Sequence, residues 1–119
     1  MCSSDLLVVS LGTTPPAGTT TAPGSFGKSS PSNGATGRSR TSLTFSWSTS
    51  SGATGYQLCF DRTHDGVCGA SWINVGNTTR WTATNLLAST TYSWQVRAVN
   101  GGGTTDANTG TWWKFSTTK

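Results

Sequence analysis

Glutamate is missing from this chain, and charge of either sign is scarce: four Asp and eight Lys or Arg among 119 residues, 10% of the total. Helices draw mainly on Ala, Leu, Glu, Lys, Gln and Arg, so a helical bundle or coiled coil is excluded. No basic run exists. The densest spot is Arg38-Ser39-Arg40, so the net charge of +4 describes a weakly basic, solvated surface, and no nucleic-acid partner is expected. No stretch approaches the ~20 apolar residues of a membrane helix. The run Leu6-Leu7-Val8-Val9-Ser10-Leu11 is too short even for a signal-peptide core, and no basic residue precedes it. Three Cys and one His complete the shortages.

Small hydroxyl residues take the vacated places. The chain holds 23 Thr and 17 Ser, with 15 Gly besides. Thr and the aromatics suit pleated strands. Six Trp, four Phe and two Tyr supply more aromatic surface than a disordered chain carries, enough for a buried core.

Cys59 and Cys68 flank eight residues that include Asp65-Gly66, a pair that favours chain reversal. A hairpin there brings the two sulfurs together, and closing so short a loop stabilises by roughly 2–3 kcal/mol on the chain-entropy model. Metal ligation with His64 and the nearby Asp residues is the competing reading. It needs three or four convergent ligands at a recognisable spacing, which this segment lacks. A Cys59–Cys68 disulfide is expected, and it implies an oxidising, extracytoplasmic setting. Cys2 is left over, and whether it is free, cross-linked or lipid-modified stays open.

Residues 12–25 hold three of the four prolines and no large apolar side chain, which reads as a semi-extended linker. Residues 1–25 are therefore an N-terminal extension, the apolar strand 6–11 plus a Thr/Pro/Gly linker, and residues 26–119 are the folded domain. From there the pattern is that of strands. An early strand is expected near Phe26–Ser30. Leu43, Phe45 and Trp47 alternate with small polar residues, as do Tyr56, Leu58 and Phe60, which places Cys59 on the face away from the core. Further strands are expected at 71–75, at 81–86, at 92–98 until Gly101-Gly102-Gly103, and at 111–115. About seven short strands at this spacing predict an all-β sandwich.

Two features make the pattern more specific. Leu86 stands six residues before Tyr92, which opens the cleanest alternating strand. This looks like the tyrosine corner of Greek-key sandwiches, whose hydroxyl bonds back to the backbone at the turn between sheets. With Trp47 on the second strand, Tyr92 to Asn100, and the closing Gly110 to Thr117, residues 26–119 resemble a fibronectin type III domain of bacterial secreted or surface proteins. The resemblance implies a seven-stranded antiparallel Greek-key sandwich of the immunoglobulin/fibronectin type III kind, with Trp47, Leu86 and Tyr92 as fold-defining residues. It is nearly silent on function, because this fold carries adhesion, spacing and polymerisation alike. The Arg-Gly-Asp triplet that some animal relatives carry in the loop corresponding to residues 100–108 is absent, so integrin recognition does not transfer.

No catalytic plan finds its parts. A Ser-His-Asp arrangement would need His64 to meet an oriented Ser and a buried Asp. Asp61 and Asp65 share its turn, and Asp5 and Asp106 are in terminal or turn-like settings. Calcium at Asp61 and Asp65 would lack the usual crowd of oxygen ligands. No enzyme activity, metal or cofactor is expected.

Adjacent Trp112 and Trp113 cannot both face the core, because strand neighbours point to opposite faces. Trp113 shares a face with Phe115, which leaves Trp112 outside beside Lys114. Trp72 and Trp81 are the other candidate outward aromatics. Such a group stacks on sugar rings or forms a subunit interface, while the plainer reading packs each Trp under Arg97 or Lys114.

The run 6–11 is β-prone and needs shelter from water. Fourteen linker residues span on the order of 40 Å in extended form. That shelter is the edge or groove of its own sandwich or the sheet of a neighbouring copy, or else residues 1–25 are the tail of an upstream domain or a cleaved segment. Donation of Leu6, Leu7, Val8, Val9 and Leu11 to a neighbouring copy is the one expected here, and repeated head-to-tail donation gives a filament. The sequence thus predicts a non-catalytic extracellular or cell-surface subunit whose partners are copies of itself. The alternatives are a carbohydrate-binding or adhesive module that meets surface glycans, and a spacer domain of a secreted enzyme. Thr13, Thr14, Thr19, Thr20 and Thr21 suit O-glycosylation, and Asn77-Thr78-Thr79 is an N-glycosylation sequon.

Overall fold

The computed structural model describes residues 21–69 and 71–119. Leu6, Leu7, Val8, Val9 and Leu11, with Thr13, Thr14, Thr19, Thr20 and Cys2, lie outside the described residues. Nine strand segments follow in chain order: β1 (Lys28–Ser30), β2 (Ala35–Arg38), β3 (Leu43–Trp47), β4 (Gly55–Asp61), β5 (Ile73–Gly76), β6 (Arg80–Ala83), β7 (Thr91–Asn100), β8 (Gly103–Asp106) and β9 (Trp113–Thr117). They form two sheets. The smaller is ordered β1-β3-β6, the larger β2-β9-β7-β4-β5, with β8 also pairing β7.

Side-chain alternation builds the core directly. On β4 and β7 the facing pairs Tyr56 with Ala98, Leu58 with Val96 and Phe60 with Trp94 put their apolar members on the inner face. The smaller sheet answers with Leu43, Phe45 and Trp47, all buried. Phe45 is the centre. Its ring lies 4.9 Å from Trp94, 5.4 Å from Phe60 and 5.6 Å from Phe115, centroid to centroid. Stacked, tilted and edge-on pairs of this kind contribute roughly 0.5–1.5 kcal/mol each beyond the burial of their area.

The expected seven strands are present, but two of them are split. The first divides at a cis Ser30–Pro31 peptide, where the chain passes from the smaller sheet to the larger. Proline carries no N–H for a ladder, so pairing stops there. Beyond it, β2 runs parallel to β9, so the larger sheet is not wholly antiparallel. The last strand divides as well. Arg97 pairs with Asp106 and Trp94 with Trp113, so a step of three residues on β7 meets a step of seven opposite. The four surplus residues form a tight turn at Ala107–Gly110. The strand expected to stop at Gly101-Gly102-Gly103 is therefore followed by another, at Gly103–Asp106.

That insertion ties the two sheets together. Asn108 N–H donates to the Phe26 carbonyl at 2.9 Å, and Asn108 Oδ1 accepts from Lys28 N–H at 2.9 Å. Its backbone reverses through left-handed conformations at Asn108 (φ 54°), Thr109 (φ 55°) and Gly110 (φ 88°). A β-branched residue seldom adopts this region, so Thr109 is held there by the anchoring on either side.

Cys59 is bonded to Cys68, with Cα atoms 6.0 Å apart. Alternation does place Cys59 off the core face, yet it is fully buried. The loop that the disulfide closes lies over it. Leu86 is buried, and Tyr92 hydroxyl accepts a hydrogen bond from Leu87 N–H at 3.0 Å.

Tyr92→Phe keeps the ring and removes that acceptor, leaving a partly buried N–H without a partner. The expected cost is about 1–2 kcal/mol. Urea unfolding should show a lower midpoint and an unchanged slope; a wild-type midpoint would mean that the corner does not depend on this bond.

Candidate functional site

The same alternation that buries Leu58 and Val96 turns Gln57 and Arg97 to the outer face of the larger sheet. There a polar row crosses four strands: Asn74 opposite Gln57, Gln57 opposite Arg97, and Arg97 opposite Asp106. Arg97 Nε donates to Gln57 Oε1 at 2.6 Å, and its guanidinium lies 4.2 Å from the Trp72 ring centroid. Trp72 precedes Asn74 by two residues. Trp112 closes the group, its ring 6.2 Å from Trp72 at an interplanar angle of 53°. Both indoles and Arg97 are half-buried.

The two neighbouring tryptophans separate as strand geometry requires. Trp113 packs edge-on against Trp94 at 6.1 Å on the core side, while Trp112 meets Trp72. Trp81 does not join them. It lies opposite Phe45 in the β3–β6 register and packs 6.3 Å from Phe60 at the margin of the core. Trp47 is buried in the core. Asn77 and Thr21 are exposed, Asn77 in the turn between β5 and β6.

His64 does meet a serine, which spacing along the chain gave no means to see. Its Nδ1 is 2.5 Å from Ser93 Oγ, and Ser93 is 1% exposed on β7. The nearby carboxylates are engaged by the loop itself. Asp61 accepts from Thr63 N–H and Gly69 N–H, and Asp65 accepts from Thr63 Oγ1 and Val67 N–H. The contact clamps the disulfide loop to the sheet, and among the described residues no carboxylate is bonded to the imidazole to orient it for base chemistry. Among the described residues no three of His, Cys, Asp and Glu gather to hold a metal.

One buried cation belongs to the interior. Lys28 is 6% exposed, and its Nζ donates to Gln95 Oε1 at 2.8 Å and to the Thr111 carbonyl at 2.6 Å. It sits 5.2 Å from the Trp113 ring and 5.8 Å from Trp94. Gln95, fully buried, gives its amide N–H to the Ala107 and Thr111 carbonyls, bridging the neck of the insertion. Nothing in the sequence pattern marked either residue. Burial lowers the Lys28 amine from 10.5 to about 7, partly offset by the negative charge of Asp106.

The unfolded amine keeps its proton up to about pH 10.5, whereas the folded one loses it near 7. Between these values the unfolded chain binds more protons, so stability rises with pH across that window and the gain is absent below it. The scale is ~1.4 kcal/mol per pKa unit. Urea midpoints at pH 6, 8 and 10 should climb in the wild type more steeply than in Lys28→Met; parallel profiles would refute the assignment.

With this geometry in hand, the chain can be set beside known proteins. Comparison with curated sequences gives no match. Solved structures do match. The fibronectin type III domain of human fibronectin type III domain containing protein 3 is 21% identical, covers 86% of this chain and 92% of its own, and superposes with a TM-score of 0.55. A structure described as a myokine is 17% identical over 83% of this chain and 98% of its own, with a TM-score of 0.56. The FN1–FN3 domains of chicken CNTN1 are 20% identical over 83% of this chain and 35% of theirs, with a TM-score of 0.52. At such identities these likenesses speak for the fold alone. The fibronectin type III family model matches residues 29–111, most of the described sandwich and more than half of the sequence, and the chain belongs to the fibronectin type III family.

Proposed function

We propose that this chain is a non-catalytic structural or adhesive module working outside the reducing interior of the cell. Domains of this family are generally non-catalytic. The observation that carries the reading is the Cys59–Cys68 bond, whose first sulfur belongs to a fully buried residue beneath the loop it closes. A disulfide built into the fold suits an oxidising compartment. No helix among the described residues is long and apolar enough to cross a membrane. The match to part of a three-domain chicken chain fits a unit used in series, and the Thr/Pro/Gly composition of residues 12–25 suits a connector.

Polymerisation through Leu6–Leu11 is the finer reading. The sandwich fills its core with its own strands, Phe45, Leu58, Trp94 and Val96 being wholly buried. A donated strand would therefore lengthen a sheet at an outer strand such as β5 or β6 and not complete a missing core. Such edges keep unpaired main-chain groups that accept an added strand. A spacer in a secreted enzyme would instead be a monomer that neither polymerises nor binds.

Two experiments test these statements. Reduction and alkylation of Cys59 and Cys68 should lower stability by roughly 2–3 kcal/mol on the chain-entropy model; an unaltered unfolding midpoint would remove the argument for an oxidising compartment. Electron microscopy of the full chain should show fibres that vanish when residues 1–12 are deleted, and fibres that survive the deletion would end the strand-donation reading.

A further inference from the structure

We propose that the outer face of the larger sheet, at Trp72, Trp112, Arg97, Gln57 and Asp106, binds an uncharged oligosaccharide. The proposal rests on the adhesive-module reading and names the ligand class that such a module would take at this face.

The first observation is the pairing of two half-exposed indoles with unused polar groups. Trp72 and Trp112 lie with ring centroids 6.2 Å apart, tilted by 53°, and each indole keeps part of its surface open to solvent. The C–H faces of pyranose rings pack against such indoles as other apolar groups do. The core takes neither ring, and Arg97 supports Trp72 through its guanidinium.

The second observation is the chemistry of the adjoining row. Arg97 gives only its Nε to the protein, to Gln57 Oε1, which leaves both terminal amino groups without a partner among the described residues. Gln57 likewise keeps its amide nitrogen unused. Asp106, exposed and opposite Arg97 in the ladder, makes no side-chain cap bond to the segment that follows it. Planar donors from a guanidinium and an amide, next to a carboxylate acceptor, are what a set of hydroxyls requires, since each hydroxyl both donates and accepts.

The third observation is charge. Arg97 and Asp106 stand opposite one another in the β7–β8 ladder, so the row carries one charge of each sign. A uronic or sulfated chain would gain from Arg97 and lose at Asp106. An apolar protein surface would strand the unused donors and acceptors. A neutral sugar chain satisfies both the rings and the row.

The test is titration calorimetry of the full chain with cellohexaose, xylohexaose, mannohexaose and chitohexaose, alongside heparin and polygalacturonate. At least one neutral hexasaccharide should bind, and Trp112→Ala and Gln57→Ala should each weaken it at least tenfold. Thr82→Ala, on the other sheet, should bind as the wild type does. Near-ultraviolet circular dichroism confirms that each variant is folded, and Gln57→Ala serves if Trp112→Ala is not. The proposal fails if none of the four neutral sugars binds, if binding survives both substitutions in folded protein, or if only the acidic polymers bind and salt abolishes it. Because the disulfide and fibre experiments do not involve this face, its failure would leave the module reading standing.

Discussion

Phe45 joins the two sheets, and most of the structure depends on that junction. A sheet of three short strands cannot bury its own apolar face; it is stable only against a second layer. Phe45 brings one ring into contact with Phe60, Trp94 and Phe115, which come from three different strands of the facing sheet. Tyr92 stacks on Phe115 at 5.5 Å and meets Phe60 edge-on at 5.8 Å, so the tyrosine corner is continuous with the same cluster. The turn that Tyr92 pins through Leu87 is thereby fixed relative to the core.

A sandwich also has sides, and one of them is closed by polar groups. The insertion at Ala107–Gly110 would be a flaw in an isolated ladder. Here its carbonyls accept from Gln95, its Asn108 bonds the backbone of residues 26 and 28, and Lys28 reaches across to Thr111. Each buried polar group in this network finds a partner, which is the condition for burying it at little cost. The indole N–H groups of Trp47 and Trp94 are the exceptions, having no acceptor among the described residues. In Lys28 the burial acts on the charge itself and pushes the amine toward its neutral form.

The outer face of the larger sheet is the counterpart of the core, written in the same strands at the alternate positions. Leu58 and Val96 look inward; Gln57 and Arg97 look outward. Next to that row the disulfide loop covers Cys59, and His64 and Asp61 fasten the loop down. The face is thus divided into a covered half, where the loop lies, and an open half, where two indoles and a balanced pair of charges meet solvent.

Much of this was legible beforehand. A period of two in 43–47, 56–60 and 92–98 marked the strands and their buried members, and Leu86 with Tyr92 marked the corner. Trp113, on β9, and Trp112, just before it, took opposite sides as alternation requires. Of each split strand, one half was missed. Ala35–Arg38 and Gly103–Asp106 have no apolar alternation, and each is a strand because β9 or β7 offers it a ladder. The spacing also put Trp81 with the outward aromatics, whereas its register opposite Phe45 leaves it beside the core.

The amino-acid order by itself determined which face of the alternating strands is apolar and where the chain turns, because alternation and turn chemistry act over a few neighbours. Only the tertiary structure decided which distant groups share a neighbourhood. Lys28 with Gln95, His64 with Ser93, and Trp72 with Arg97 and Trp112 are brought together by sheet order and by the four-residue surplus in the last strand. Those depend on long-range pairing, and no local pattern records it.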